Sequence, residues 1–184
     1  VFRDGRIHGS NTDGFGFLET VRDQAPGWQP ADGPAVVLGA GGAARAIAAA
    51  LLDGGCPRVT LVNRSRERAE ALARDLGGAI AVADAAPLAE AALLVNTTSL
   101  GMQGHPPLTI ELGALPMTAV VADIVYVPLE TPLLAAARMR RLRAVDGLGM
   151  LLHQARPGFE AWFGVAPRVD AALRSLVAGD IPPR

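Results

Sequence analysis

The residues with the most definite chemical reading are Gly39-Ala40-Gly41-Gly42-Ala43-Ala44-Arg45, which follow a short apolar run, Ala35-Val36-Val37-Leu38. This is the G-x-G-x-x-A form of a dinucleotide-binding turn. Gly39 permits the tight turn, Gly41 lets the backbone approach a pyrophosphate, and Ala44 lets helix and strand pack closely. The free amides at the helix start, around Ala40, Gly42 and Ala43, would then face the phosphates, aided by the helix dipole. Any turn can recruit glycine for steric reasons. The strand before and the helix after are what favour the binding reading. A second group, Asn63-Arg64-Ser65-Arg66-Glu67-Arg68, follows the next apolar run, Val59 to Val62. An acidic residue at that strand tip would suit the ribose hydroxyl of NAD, and there is none. Arg64 and Arg68 lie one helical turn apart and can share the 2'-phosphate of NADP, with Ser65 donating a hydrogen bond. A solvated helix start is the plain alternative, but arginines there oppose the dipole and an anion removes the conflict.

Further along, hydride transfer to a ketone would need a nicotinamide held against a carbonyl and a proton source for the developing alkoxide. Asp13 follows Asn11-Thr12 at a helix start, so it is either a capping carboxylate or a substrate ligand. On these residues alone both readings stand, with Gly14 and Gly16 beside it favouring substrate. Tyr126, the single tyrosine, follows a strand end, the edge where ligands bind in parallel sheets. It could equally be an ordinary half-buried aromatic. Gln154 interrupts an apolar helix face next to His153, and could simply satisfy backbone groups. His153 is set aside as a general acid because nothing near it in the sequence would orient it. His8 and His105 are isolated, and with one cysteine there is no metal-ligand spacing, so no metal is expected.

The elements that must position these groups alternate. A helix is expected over Thr12 to Arg22, from Phe15, Leu18 and Val21 at helical spacing. Strands are expected at Ala35–Leu38, Arg58–Val62, Ala79–Val82, Leu93–Val95, Ala119–Asp123 and Arg143–Val145. Helices are expected at Ala43–Leu52, Ser65–Leu76, near Ala86–Ala91 and at Pro132–Arg140. Two more, Leu148–Phe163 and Val169–Val177, close the chain, and Pro157 should kink the first. This alternation argues for α/β architecture: a Rossmann-like doubly wound parallel sheet with helices on both faces. The expected division is 1–24 as an entering helix and the end of another domain, 25–34 as a Pro/Gly-rich linker, 35–145 as the cofactor domain, and 146–184 as closing helices. The chain starts at Val1 without Met, which suggests a fragment or a processed chain.

Composition narrows the classes. Half of the 184 residues are apolar, charged residues make up 19%, and the net charge is −1. Disorder is therefore not expected, and no basic patch suggests a nucleic-acid partner. The lone Cys56 forms no internal disulfide, no run reaches membrane-spanning length, and no signal pattern opens the chain. A soluble cytoplasmic protein is expected.

Six blocks together resemble the shikimate dehydrogenase family over essentially the whole chain. They are Asn11-Thr12-Asp13-Gly14, the glycine turn, Asn63-Arg64-Ser65, Asn96-Thr97-Thr98-Ser99-Leu100-Gly101-Met102, Asp123-Ile124-Val125-Tyr126-Val127-Pro128, and Asp146-Gly147-Leu148-Gly149-Met150-Leu151-Leu152-His153-Gln154-Ala155. The resemblance implies NADP-dependent interconversion of 3-dehydroshikimate and shikimate, toward aromatic amino acids, in a cleft between a substrate domain and a Rossmann domain. It assigns Asp13 to a substrate hydroxyl beside a catalytic lysine, and Tyr126 and Gln154 to substrate contacts. Ile124 and Gly147 fall beside the nicotinamide, Asn63, Arg64, Ser65 and Arg68 around the 2'-phosphate, and Thr97 and Ser99 on a loop passing the cofactor. The chain contains no lysine, and arginine is a poor proton donor. The family's lysine would therefore lie in a substrate domain upstream, and this chain should bind cofactor and hardly catalyse. A small-molecule substrate is the expected partner, and a homodimer is compatible. A quinate/shikimate paralogue and a non-catalytic NADP-binding module are the competing readings.

Overall fold

The computed structural model describes residues 1–181, the side chain of Arg3 excepted. It opens with a hairpin of two-residue strands, β1 (Phe2–Arg3) and β2 (Arg6–Ile7). Asp4 and Gly5 both take positive φ at its tip, 49° and 72°. That is the geometry a two-residue hairpin turn demands, and Asp-Gly supplies it cheaply. The Asp4-Gly5 dipeptide is the sequence signal for this hairpin.

The main body runs α1 (Asp13–Gln24), β3 (Ala35–Leu38), α2 (Gly42–Asp53), β4 (Val59–Val62), α3 (Arg66–Leu76), β5 (Ile80–Ala83), β6 (Leu93–Asn96), β7 (Val120–Asp123), α4 (Pro132–Met139), β8 (Arg143–Val145), α5 (Gly147–Phe163) and α6 (Ala171–Gly179), with only 3-10 turns between β5, β6 and β7. Strands β3 to β8 form one sheet in the order β5-β4-β3-β6-β7-β8, and every pairing is parallel. The expected doubly wound α/β sheet is what forms. Boundaries move by a residue or two, as hydrogen-bonded ends usually do against a pattern-based reading.

Larger differences have local causes. The helix expected near Ala86–Ala91 is only a 3-10 turn, Leu88–Glu90, starting directly after Pro87. α5, by contrast, runs through Pro157 to Phe163 as expected, the helix absorbing the missing donor. The stretch expected as a linker is packed down: Ala25 and Trp28 are buried, and the indole Nε1 of Trp28 donates to the Ala92 carbonyl at 3.2 Å. Pro30–Asp32 forms a 3-10 turn there, closed by Asp32 accepting from the Gln29 amide at 2.9 Å.

The sheet is apolar on both faces, as a parallel sheet must be when helices cover both. Ala35, Val37, Val59, Leu61, Leu93, Val95, Val120 and Ala122 point to one face and join Phe17, Ile47, Leu51 and Leu72 from the helices. The intervening Val36, Leu38, Leu94 and Val121 point to the other, against Leu88, Leu112, Leu115, Leu133 and Ala137. The alternation is the two-residue period of strands made visible. Each fully buried aliphatic contributes about 1.5–3 kcal/mol relative to exposure.

Candidate active site

The sheet order reverses between β3 and β6, and loops leaving those strands at their C-terminal ends part to opposite sides. Such a crevice is where doubly wound sheets take ligands. At its floor, the Leu38 carbonyl accepts from both the amide and the hydroxyl of Thr97, at 2.8 and 2.7 Å. Gly39 has φ +115°, and a Cβ there would sit 2.5 Å from Thr97 Oγ1. Glycine is therefore obligatory at this turn. α2 starts immediately after Gly41, which offers no side-chain cap, so its first amides remain available to a ligand. Nothing lies within 4 Å of where a Cβ would stand on Gly41 or Gly42, and both residues are exposed. The turn is thus open on its outer side, with donors aimed there. Ala44 is fully buried against the sheet, which is the close helix–strand contact its size allows.

Beyond the C-terminal end of β4 lies a cavity of about 790 Å³ lined by Asn63, Arg64, Arg66, Asp84, Thr98, Ser99, Leu108 and Glu111, among others. Asn63 Nδ2 donates to the Ser65 carbonyl at 2.8 Å, which fixes the turn after β4. Ser65 Oγ caps α3 by accepting from the Arg68 amide at 3.4 Å, leaving its own proton to donate. Arg64 and Arg68 are exposed and make no side-chain bond among the described residues. Arg68, Ser65 and Thr97 do not line this cavity, whereas Asn63, Arg64 and Ser99 do. Arg66, Asp84 and Glu111 were not foreseen there. Asp84 directly follows β5 at the sheet's ligand-binding edge, which was the available signal.

Across the crevice a smaller cavity, about 210 Å³, is lined by Asp13, Ala43, Ile124, Tyr126, Gly147, Met150, Leu151 and Gln154. Asp13, Tyr126 and Gln154 are far apart in sequence and meet here because α1, the end of β7 and α5 converge. Asp13 opens α1, its amide donating to Asn11 Oδ1 at 2.9 Å. Its carboxylate accepts only one long bond, from Asn11 Nδ2 at 3.4 Å. The capping work at this end is thus done by Asn11, and the Asp13 carboxylate remains available to the cavity. Gly16 does not serve a ligand, as its nearness to Asp13 had suggested: a Cβ on it would strike Gln154 at 2.7 Å. Gly14 likewise abuts α2, 2.8 Å from Ala46 O. A Cβ on Gly147 would meet Ile124 O at 2.1 Å, so this glycine lets α5 start against the end of β7.

Under both cavities runs a buried polar chain. Asn96 and Asp123 stand side by side at the ends of β6 and β7. Asp123 accepts from Asn96 Nδ2 at 2.9 Å, the Val125 amide at 3.1 Å and Thr131 Oγ1 at 2.7 Å. Asn96 Oδ1 accepts in turn from the Thr98 amide and hydroxyl, at 3.0 and 2.7 Å. Burial pushes the Asp123 carboxyl up to about 6, against the pull of these donors toward the ionised form. The chain sets the Thr97–Leu100 loop between the cavities. His153, set aside for want of an orienting partner, does have one from α1: its Nε2 lies 2.7 Å from Asp23 Oδ2. His153 does not line the smaller cavity, whereas Gln154 does.

Comparison with known proteins bears on the same residues. The shikimate/quinate 5-dehydrogenase family model matches residues 24–100, and the shikimate 5'-dehydrogenase C-terminal domain model matches residues 147–176. The chain belongs to the shikimate dehydrogenase family. A shikimate dehydrogenase (NADP+) of Rhodospirillum rubrum is 63% identical over 184 residues, covering 96% of this chain and 65% of the relative. The chain thus spans just under two thirds of that relative's length. Among solved structures, the Thermus thermophilus shikimate dehydrogenase in complex with NADP(H) and shikimate superposes with a TM-score of 0.80 at 37% identity, covering 98% of this chain and 66% of that one. The Corynebacterium glutamicum quinate dehydrogenase in complex with NAD superposes at 0.83 with 32% identity, covering 96% and 65%. This family membership accounts for the order of the six sequence blocks and for their convergence on one crevice. No helix among the described residues is long and apolar enough to cross a membrane, and no group of His, Cys, Asp and Glu among them could hold a metal ion.

Proposed function

We propose that this chain is the NADP-binding part of a shikimate dehydrogenase that interconverts 3-dehydroshikimate and shikimate in the cytoplasm. One observation carries the reading: Asp13, Tyr126 and Gln154 share a cavity with Ile124 and Gly147, next to Ala43 of the glycine turn. Bound NADPH supplies a hydride to the substrate carbonyl. The amides of Ala40, Gly41, Gly42 and Ala43 hold the pyrophosphate, favoured by the dipole of α2, while Gly39, whose own amide donates to the Val62 carbonyl at 2.8 Å, shapes the turn that presents them. Asn63, Arg64, Ser65 and Arg68 hold the 2'-phosphate, and Thr97 and Ser99 border the passage between the two cavities. Ile124 and Gly147 back the nicotinamide with apolar and backbone atoms, which excludes water from the reacting face. Tyr126 and Gln154 orient the substrate by hydrogen bonds. Asp13 accepts from a substrate hydroxyl, and a lysine from outside this chain shares the proton with it.

On this reading residues 1–24 join the cofactor domain to the substrate domain, 25–34 link them, 35–145 bind cofactor and 146–184 close the cleft. A homodimer is compatible with the exposed Phe159, Trp162 and Phe163, and sedimentation of the full-length protein reports it. Titration of the chain with NADP and NAD tests the cofactor assignment; tighter binding of NAD would refute it. A second reading, quinate as substrate, is favoured by the likeness to the quinate dehydrogenase. Steady-state rates of the full-length protein on shikimate and quinate separate the two.

A further inference from the structure

The wall of the adenosine-side cavity carries a carboxylate that ought to work against a phosphate. Asp84, directly after β5, lines it together with Asn63, Arg64 and Arg66. A phosphate monoester carries a charge of about −1.5 to −2 at neutral pH and is repelled by an uncompensated carboxylate. The same carboxylate would accept a hydrogen bond from a free ribose hydroxyl, as acidic residues in NAD-type pockets do. In this chain Asp84 is not uncompensated. Arg66 Nη1 donates to Asp84 Oδ1 at 2.8 Å, and Arg66 Nε donates to Glu70 Oε1 at 2.8 Å. Of the three arginines on this turn, Arg66 is the one committed to carboxylates, while Arg64 and Arg68 keep their guanidinium groups open among the described residues. The charged side chains lining the cavity are Arg64, Arg66, Asp84 and Glu111, two of each sign. Without Arg66 the lining becomes net negative.

We propose that Arg66 is a specificity-determining residue that masks Asp84, so that the cavity discriminates for a 2'-phosphate and against a bare ribose hydroxyl. Arg66 acts through Asp84 and is thus a positioning residue; Arg64, which lines the cavity, makes the phosphate contact, and Arg68 adds its charge from just outside the lining. The inference rests on the NADP reading above. Because the pair is exposed, with Arg66 53% and Asp84 83% accessible, its effect is screened by salt and calls for low ionic strength. It also means that replacing Arg66 removes no core packing.

The test is calorimetric titration of the chain with NADP and with NAD. Arg66→Ala is expected to weaken NADP about tenfold while leaving NAD unchanged or tighter, the scale of one uncompensated charge near a dianion in a partly solvated site. Arg66→Lys, which keeps the charge beside Asp84, should hold the wild-type ratio. The double variant Arg66→Ala with Asp84→Asn should recover most of the lost NADP preference. Equal loss of both cofactors in Arg66→Ala, or no recovery in the double variant, would overturn the masking role while leaving the cofactor assignment intact. A wild-type chain that binds NAD at least as tightly as NADP would refute the assignment and this inference with it.

Discussion

At the scale of single residues, Arg64 and Asp13 carry the assignments most open to direct measurement. Arg64 lines the larger cavity with no internal partner among the described residues, so its guanidinium is available to a phosphate. Arg64→Ala is expected to weaken NADP roughly ten- to a hundredfold, the range of a charge-assisted hydrogen bond, and to leave NAD nearly unchanged. Calorimetry on the chain reads both numbers. The Asp13 carboxylate accepts only one long hydrogen bond from the fold, from Asn11 Nδ2 at 3.4 Å. Asp13→Asn in the full-length protein should therefore lower kcat by roughly a hundredfold or more without moving the NADP Kd. A parallel loss of cofactor affinity would show that Asp13 is structural. The glycine turn and the arginines after β4 were legible because each is a local pattern whose meaning needs only a neighbouring strand and helix. The pairing of Arg66 with Asp84, and of Asp123 with Thr131 and Asn96, was not. The parallel register of β6 and β7 sets Asn96 beside Asp123, whereas Thr131 reaches Asp123 from the cap of α4 and Arg66 reaches Asp84 from the start of α3.

Among elements, α1 is the most tightly held. Gly14 lets it touch α2, and Gly16 and Gly149 let it touch α5. Gly16→Ala would drive a methyl into the backbone of Gln154, 2.8 Å from its amide nitrogen. A loss of about 1–3 kcal/mol is expected, measured as a lower denaturation midpoint. Asp123 gives a pH signature to β6 and β7. Its carboxyl titrates near 6 in the fold against an ordinary 3.8, so the folded state holds its proton over that interval while the unfolded chain has released it. Its contribution therefore favours folding most below about pH 4, falls as pH rises to 6, and is level above. Asp123→Asn should abolish this dependence: relative to wild type, its stability should rise by about 3 kcal/mol between pH 4 and 7. Urea midpoints across that range give the difference. The helices and parallel strands were legible from periodicity, because both sheet faces are buried and every strand reads as an apolar run. The hairpin at Phe2–Ile7 and the docking of Trp28 were missed, since one has only two residues per strand and the other depends on a carbonyl 64 residues away.

Taken whole, the molecule has a covered sheet and an uncovered apolar ridge. Phe159 and Phe163 pack with ring centroids 4.6 Å apart and planes tilted by 47°, and Trp162 is 70% exposed beside them on α5. Trp162→Ser should change the stability of this chain by no more than about 0.5 kcal/mol, as at other solvated positions. Thermal unfolding of the variant and the wild-type chain makes the comparison. The chain itself is expected to bind NADP and show no turnover of shikimate, because every cation it carries is arginine.

The grip of α2 and α5 on α1 has a kinematic corollary. Asp13 rides on a helix wedged into the same body as Ile124 and Gly147, so a hinge on its N-terminal side would leave it fixed to this body. Opening such a hinge would carry away whatever faces the carboxylate, while the carboxylate itself stays at a constant reach from the floor beneath it.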